Sequence, residues 1–587
     1  MNKELFGVFG TAETFAQLRP DATFDEIVDG EVATVGIRDP GLGATGWSAS
    51  YQGSDGACLI WGENYAPSDG DTSADGLEDG NETEVGREGD RNTARWLLER
   101  YATEGIEALA ALNGSYLAFL EYDGEAFVAT DPVRSRECFY TDEPGVRAFG
   151  TDAAAVAGTI ESPEIRLNAV LEFLHMGVIL GEKTSFQGLS RLPIDSYLTP
   201  RSVESLERFV YDPVERDRES EYARELADRL ERAIQRRAQL PGRKGLLLSS
   251  GYDSRTLLSG VSEIERCYTV GDPSAQEVRG AKRLASQYDA DHTAFPPDER
   301  YLLADADKVR YSQGIKESLH IHHAGYTDEM DVDTVYHGLL CDTFFRGHFT
   351  AEDSVEVLGK RVPVGRPHPN PNPVDTLLDK FGYDVEVSRD LMDRVSPDLE
   401  DPDNFVREVV QEEYDRVSGR ADSVQNALNC CGIDNQPSMP FHGQLSDNYF
   451  ASFLAVDTEL IDWHLTTPPE YRTTETFLEA CTHLDDAMLR YQPPDRPRET
   501  QLLNDIEGFV RRKTPFLQPF EPPWPDRERA FEVYDLDRRL LPDHEHLYDL
   551  PARHKLRLHD VLGWMKQCSE PSVREIERLF EPHPLVV

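Results

Sequence analysis

A strand buried on both faces that runs directly into a turn of small residues constrains this chain most. Residues 219–239 repeat apolar positions at helical spacing, Pro241-Gly242 breaks that helix, and the apolar run at 245–248 follows. Such an uninterrupted run is typical of a strand in a parallel sheet. We predict further alternation, with a helix after Ser254, strands at 267–270 and 334–337, and a helix at 277–288. After about residue 437 the sequence predicts mainly helix.

The turn after this strand has the composition of a phosphate-binding loop without a lysine. It reads Leu248-Ser249-Ser250-Gly251-Tyr252-Asp253-Ser254. Small residues allow backbone N–H groups to face an anion, and the following helix adds the positive end of its dipole. A carboxylate beside a phosphate indicates a bound Mg²⁺, because that ion is coordinated by oxygen atoms of both groups. The alternative interpretation is an ordinary turn that caps a helix.

The first 160 residues predict a β-rich domain. Short β-like runs occur at 4–9, 57–61, 116–121 and 126–130, separated by Gly and Asp turns. Between residues 67 and 90 the chain is almost wholly Ser, Asp, Gly, Glu and Thr, which predicts an acidic loop without a core. We place the domain boundary near residue 200, which gives domains at 1–200 and 201–587.

The formal net charge of −48 over 587 residues excludes nucleic acid as an expected partner. Acid this dense, with little lysine, favours a protein of a salt-accumulating halophile, in which salt screens the surface repulsion. An acidic mesophilic protein is the alternative. No apolar run approaches the roughly 20 residues of a membrane helix, and no signal peptide is evident. We therefore expect a cytoplasmic protein without a membrane partner.

The phosphate-loop sequence resembles the S-G-G-x-D-S loop of the asparagine synthetase family, with Ser250 at the first glycine. Residues 268–271 resemble the strand end where that family holds adenine, and residues 338–347 resemble its second pyrophosphate loop. Residues 511–519 are similar to its R-x-K-x-x-F-x-x-P segment, with Arg498 as a weaker candidate for the same place. The resemblance implies nucleotide-binding roles for Leu248, Ser249, Ser250, Gly251, Ser254, Val270 and Gly338. It implies catalytic roles for Lys513, Asp253 and Asp342, with the two aspartates as Mg²⁺ ligands.

Residues 6–10 resemble the C-G-I-F-G start of class II glutamine amidotransferases, but Phe6 replaces the cysteine and five residues precede it. Without that thiol and its free α-amine, glutaminase chemistry is lost. Residues 61–65 resemble the glutamine-binding N-G-E-I-Y-N segment. The implied fold is an α+β, Ntn-hydrolase-like β-sandwich flanked by helices. After it we expect a parallel α/β ATP-pyrophosphatase domain of the adenine nucleotide α-hydrolase-like type, with a helical C-terminal part.

The resemblance implies an ATP-dependent C–N ligase with ATP and Mg²⁺ as cofactors. A small carboxylate, first aspartate as in asparagine biosynthesis, would become an acyl-adenylate that ammonia or another amine attacks. Leu339 stands where asparagine-forming members carry glutamate, so the substrates and the effect of Leu339 and Ser250 on activity stay open. The alternatives are a β-lactam-synthetase-like or other specialised amide-forming ligase and a catalytically silent nucleotide-binding protein. The nitrogen source, a homodimer and a separate glutaminase as partner are also left open.

We expect the free energy of unfolding to rise as KCl is raised from about 0.1 M to about 1 M. Over this range the Debye length falls from about 10 Å to about 3 Å, which screens repulsion among surface carboxylates. Urea unfolding followed by circular dichroism measures this, and a sucrose series without added salt is the control. An unfolding free energy that stays level or falls with KCl would support the mesophilic alternative.

Overall fold

The computed structural model describes residues 3–67, 92–142, 145–357, 360–395, 401–498, 501–513, 516–517, 520–522, 524–568 and 570–581. Within these ranges the side chains at 354–357, 360–365, 501, 502, 505, 509, 512, 513, 570 and 571 lie outside the description. The predicted acidic loop at 67–90 lies outside the described residues except for Pro67. Among the described helices, none is long and apolar enough to cross a bilayer.

The first 205 residues contain twelve described strands and four α-helices. The strands are β1 (Glu4–Val8), β2 (Glu26–Asp29), β3 (Thr34–Arg38), β4 (Ala49–Gln52), β5 (Gly56–Gly62), β6 (Tyr116–Tyr122), β7 (Glu125–Thr130), β8 (Phe139–Thr141), β9 (Ala148–Gly150), β10 (Leu189–Arg191), β11 (Ser196–Leu198) and β12 (Val203–Ser205). The helices are α1 (Ala12–Leu18), α2 (Thr93–Glu104), α3 (Ala153–Ala157) and α4 (Leu167–Met176), with a 3₁₀ turn at Gly105–Ala111.

These strands form two six-stranded antiparallel sheets that pack face to face. One sheet has the order β10-β8-β9-β1-β3-β2 and the other has the order β12-β11-β7-β6-β5-β4. Apolar side chains from both sheets, such as Val35 and Phe149 from one and Leu59 and Phe119 from the other, form a shared cluster. The alternation of inward and outward residues along each strand produces this layer. The four strands predicted from β-like runs are therefore confirmed, and the second sheet extends to β12, just past residue 200.

The remaining chain contains seven described strands and most of the helices. In chain order these are α5 (Glu219–Arg237), β13 (Lys244–Leu247), α6 (Asp253–Gly260), β14 (Ile264–Val270), α7 (Gln276–Gln287), β15 (Asp291–Phe295), α8 (Ala306–Ser312), β16 (Thr334–Tyr336), α9 (Cys341–Arg346), β17 (Glu352–Val357), β18 (Lys360–Pro367), α10 (Pro373–Phe381), α11 (Val385–Val395), α12 (Pro402–Ser418), α13 (Val424–Asp434), α14 (Met439–Asn448) and β19 (Phe450–Ser452). Then follow α15 (Thr458–Thr466), α16 (Thr474–Asp485), α17 (Gln501–Lys513), α18 (Arg527–Tyr534), α19 (Leu536–Leu540), α20 (Ala552–Cys568) and α21 (Glu570–Leu579). Short 3₁₀ turns lie at Glu299–Tyr301, Ser318–His320, Ala324–Glu329, Leu454–Val456, Pro469–Tyr471, Asp486–Leu489 and Glu545–Leu547.

Five of these strands form a parallel sheet in the order β15-β14-β13-β16-β19. Leu246 belongs to the apolar cluster on one face and Leu247 to the cluster on the other, so the central strand is buried on both faces. The predicted parallel sheet and its alternating helices are confirmed, and the fold is mixed α/β. The described residues after 437 are mainly helical, as predicted, and the strand β19 was not foreseen because three residues between helices are too few to show strand periodicity.

A buried group of charges joins the antiparallel sandwich to the parallel sheet. Arg237, at the end of α5, is fully buried, and its Nη1 lies 2.6 Å from Oδ2 of Asp457. Its Nε lies 3.3 Å from Oε1 of Glu63, which follows β5 in the sandwich. Ser452 of β19 and Tyr65 donate hydrogen bonds to the same Glu63 oxygen at 2.8 and 3.0 Å. Charges removed from water in this way must stay paired to be tolerated.

We expect Arg237→Met to lower the free energy of unfolding by about 3–5 kcal/mol, because Glu63 would keep a buried carboxylate without its cation. Denaturant unfolding at pH 7 measures the change. The matched control is Arg243→Met, since Arg243 is half exposed and pairs with the exposed Asp331 at 2.6 Å. That surface pair should contribute only about 0–1 kcal/mol. Equal losses in the two variants would contradict a structural role for the buried group.

Candidate functional site

The candidate site lies at the carboxyl edge of the parallel sheet, where the strand order reverses. The chain proceeds from β13 outward to β14 and β15, and then returns to β16 on the opposite side of β13. The loops after β13 and β16 therefore lie next to each other at the end of adjacent strands. In open parallel sheets ligands bind in the crevice at such a reversal.

The first loop, residues 248–252, is held by hydrogen bonds from its own neighbourhood. The backbone N–H of Ser250 donates to Oε1 of Glu277 at 2.6 Å, and the Ser250 hydroxyl donates to Oε2 of the same carboxylate. The N–H of Gly251 donates to Oγ of Ser249 at 3.1 Å, and Ser249 N–H lies 3.4 Å from Oγ of Ser254. The Ser250 amide, predicted to hold a phosphate, is thus engaged by an anion of the protein itself.

The side chain of Arg255, on α6, holds this loop in place through hydrogen bonds to backbone carbonyls. Its Nε donates to the carbonyl of Gly251 at 2.9 Å, and its Nη1 donates to the carbonyls of Met488 and Tyr491 at 2.9 and 2.6 Å. The side chain is almost fully buried. Its Nη2 donates to the carbonyl of Ser250. Charge-assisted bonds to these four carbonyls engage Arg255 with the backbone, so it positions the loop and is not available to a ligand.

The second loop, at 337–340, packs directly against the first. A Cβ on Gly338 would lie 2.9 Å from Cβ of Asp253 and 3.0 Å from the backbone N of Ser254. Leu340 has a φ of 64°, a left-handed conformation that is strained for a branched side chain. The loop then enters α9, where Oδ1 of Asp342 accepts a hydrogen bond from Thr343 N–H at 2.8 Å. Only a glycine at 338 allows the two loops to approach this closely.

The two predicted aspartates face one another across this junction, together with Arg346. Nη1 of Arg346 lies 3.3 Å from Oδ1 of Asp253, and Nδ1 of His348 lies 3.8 Å from Oδ2 of Asp342. Desolvation raises the pKa of Asp253; with the opposing charge of Arg346 and the repulsion of the Asp342 carboxylate included, that pKa is about 6. Among the described residues no hydrogen bond reaches Oδ1 of Asp253. Two neighbouring carboxylates are ligands of the kind that Mg²⁺ prefers, so this pair fits a Mg²⁺ ion.

The remaining residues to which the resemblance gives a site role lie in several different elements. Leu248 follows β13 and Val270 ends β14, and both side chains are buried at the same edge of the sheet. Lys513 is the last residue of α17, and its side chain lies outside the described residues. Arg498, the weaker candidate for the lysine position, instead donates to Glu507 on α17. The charge of Arg496, like that of Arg346, lowers the pKa of Asp253.

Phe6 occupies the position where the resemblance expects a nucleophile. Phe6 lies in the middle of β1, pairs with Gly36 and Gly150, and packs against Phe15 with ring centroids 5.7 Å apart. The position that would need an exposed nucleophile is thus filled by a fully buried aromatic ring. Glu63, from the segment similar to a glutamine-binding motif, contacts Arg237. The loss of glutaminase chemistry stays a prediction.

Three residues that the geometry brings to the site were given no role from sequence. Arg346 lies one turn after Asp342, Glu277 lies on a different helix, and Arg496 lies far along the chain. The i, i+4 spacing of Asp342 and Arg346 on α9 is a signal that could have identified Arg346. No local pattern connects Glu277 or Arg496 to a loop so distant in sequence.

The described residues form an antiparallel two-sheet sandwich followed by an open parallel sheet. No family model matches the sequence, and no curated protein matches it. Two solved structures show a weak likeness. The structure of the allosteric regulatory enzyme of purine biosynthesis has a TM-score of 0.21 and 9% identity, covering 52% of this chain and 77% of that one. The glutamine phosphoribosylpyrophosphate amidotransferase from B. subtilis complexed with ADP and GMP has a TM-score of 0.20 and 10% identity, covering 68% and 94%. Likeness at this level carries no argument about this chain.

We expect Gly338→Ala to destabilise the protein by about 1–3 kcal/mol, because the added methyl group overpacks the backbone of the neighbouring loop. Thermal unfolding measures the change. The control is Gly419→Ala, where an added Cβ meets nothing within 4 Å and φ is −64°. If both substitutions had the same small effect, the two loops would not be in the close contact described above.

Proposed function

We propose that this protein is an ATP-dependent, AMP-forming carboxylate–amine ligase similar to asparagine synthetases. The observation that carries the proposal is the pair of aspartates, Asp253 and Asp342, brought from two distant segments to adjacent strand ends at the sheet reversal. A carboxylate pair in a crevice, with one pKa raised, is a functional-site signal in its own right. The loop of small residues beside it matches the needs of a pyrophosphate group.

The roles of the residues follow from their positions. Asp253 and Asp342 would hold Mg²⁺, which neutralises phosphate charge and orients the phosphates for displacement. The hydroxyls of Ser249, in the loop after β13, and of Ser254, in the first turn of α6, would donate hydrogen bonds to the pyrophosphate. Arg346 adds a buried positive charge at the same junction, where preorganised charge stabilises a leaving anion. Lys513 is assigned the same task from its sequence context.

Aspartate with ammonia is the proposed first substrate pair. The filled nucleophile position at Phe6 supports free ammonia over glutamine as the nitrogen source. Leu339, partly buried against the apolar core, replaces the glutamate expected in asparagine-forming enzymes. A different carboxylate with an apolar portion is therefore the second possibility within the same reaction class, as in the β-lactam synthetases.

A catalytically silent nucleotide-binding protein is the competing function. The contact between Glu277 and the Ser250 amide supports it, because an amide already engaged by a carboxylate does not donate to a leaving pyrophosphate. The two functions differ in a measurable way, since only the ligase releases pyrophosphate.

The test is release of AMP and pyrophosphate by the purified protein in multimolar KCl with MgATP. Aspartate plus ammonium, aspartate plus glutamine and other carboxylates are compared. We expect turnover with ammonium and none with glutamine as the nitrogen donor. Asp253→Asn and Asp342→Asn should each lower kcat at least about 100-fold, because charge on the leaving pyrophosphate loses its counterion. Asp331→Asn, at the exposed opposite end of β16, should leave kcat unchanged.

Absence of AMP release with every carboxylate would exclude the ligase. If MgATP still bound, as measured by calorimetry, and Asp253→Asn weakened that binding, the silent nucleotide-binding protein would stand. If MgATP did not bind at all, both functions would be overturned.

A further inference from the structure

A cavity of about 80 Å³ lies between the antiparallel sandwich and the helices of the second part of the chain. A single water needs roughly 10–15 Å³ of such space, so the cavity has room for several non-hydrogen atoms. Its wall includes Lys3, Trp61, Ser135, Arg136, Gln313 and His442. It is separate from the loops after β13 and β16, because none of the residues at 248–254 or 338–342 lines it.

Arg136 is a buried cation of this wall that has no direct ion pair with any described residue. Its side chain is 4% exposed, and its guanidinium lies 4.4 Å from the ring centroid of Trp61 and 5.4 Å from that of Trp47. Nε donates to the carbonyl of Ser115 at 2.8 Å, whereas the buried Nη2 has no partner. Among the described residues no carboxylate oxygen lies within 4.0 Å of it. Desolvation lowers its pKa to about 10.

The acids of the cavity wall are already engaged with other groups. Glu137 pairs with Lys316 at 2.8 Å, and Asp447 pairs with Arg310 at 2.7 Å. Asp152 accepts hydrogen bonds from the first N–H groups of α3. The wall thus keeps a buried guanidinium without a direct ion pair in the described part of the chain, and carboxylates beyond the wall, that of Asp39 foremost, offset its desolvation only in part.

A second donor in the same wall also lacks a partner. Nε1 of Trp61 is buried and has no hydrogen bond, although buried indole N–H groups usually find one. The Trp61 ring lies against the Arg136 guanidinium, so the two unsatisfied donors belong to neighbouring side chains. An acceptor with two oxygens would satisfy both.

We propose that this cavity binds a small carboxylate, whose oxygens accept hydrogen bonds from the Arg136 guanidinium and the Trp61 indole. The planar fork of a guanidinium matches the two oxygens of a carboxylate. The cavity volume also fits a small organic acid, because it exceeds the volume of a single halide ion. The site is independent of the proposed ligase reaction, since it involves neither aspartate of the candidate nucleotide site.

Isothermal titration calorimetry tests this with potassium acetate, malonate and succinate against the full-length protein at constant KCl, without ATP or Mg²⁺. We expect saturable binding of at least one of them, with one site per chain. Arg136→Gln should weaken that binding at least about tenfold, because a charged hydrogen bond is lost. This variant should remain folded, since the arginine that it removes has no ionic partner.

Trp61→Phe provides a second variant, which keeps the aromatic ring and removes only the N–H donor. It should weaken binding about fivefold, as expected for a neutral hydrogen bond. The matched control is Trp96→Phe, because Trp96 lies on α2 outside the cavity and contacts Arg100 instead. Trp96→Phe should bind like the unchanged protein.

Three outcomes would overturn the proposal. One is the absence of saturable binding by all three carboxylates. Another is equal affinity in Arg136→Gln and Trp61→Phe compared with the unchanged protein. The third is tighter binding of inorganic phosphate or chloride than of any carboxylate, which would assign the cavity to inorganic anions.

Discussion

The buried guanidinium of Arg237 is the interaction on which the arrangement of the two parts of this protein depends. It ends α5, the helix that precedes the central strand β13, and it reaches Asp457 and Glu63. Glu63 belongs to the sandwich, and it also accepts a hydrogen bond from Ser452 of β19. Burial raises the pKa of Glu63, while the Arg237 charge opposes that effect. The charge of Arg237 thus favours the ionised form of Glu63. The contacts of Glu63 with Arg237 and Ser452 also fix the sandwich against the edge of the parallel sheet.

Features that depend on adjacent residues could be predicted from this sequence, whereas features that depend on distant residues could not. The strand at 245–248, its turn and the following helix are encoded by consecutive residues, and the structure has them within one or two positions. The placement of Asp253 beside Asp342 needed a resemblance, since only the strand order brings them together. The unpaired Arg136 and the contact between Ser250 and Glu277 result from tertiary packing, for which the sequence contains no periodic signal.

A hydrogen-bonded chain of buried side chains connects the second loop with the interior of the sandwich. It runs in order through Leu339, His337, His442, Ser115, Ser135 and Asp131. Because the N–H of Leu339 donates to Nδ1 of His337, the proton of this neutral imidazole is on Nε2, and each later member can donate to the next. Burial lowers the pKa of both histidines, so they stay neutral near pH 7. The sandwich therefore contributes to the position of the second loop even though it has no glutaminase nucleophile.

The first loop accommodates Ser250, at a position where the resemblance expects glycine, because the neighbouring helix α7 leaves room for it. A Cβ on Gly280 of α7 would lie 2.7 Å from Cβ of Ser250, so the absence of a side chain at 280 makes room for the larger residue in the loop. The serine hydroxyl then bonds the carboxylate of Glu277, one turn earlier on the same helix. Gly280 gives Ser250 room and Glu277 accepts its hydrogen bond, and both residues belong to α7. This helix therefore holds the loop in its conformation without a ligand. Ser250 is accommodated by its surroundings, and its presence alone gives no reason to expect a collapsed loop.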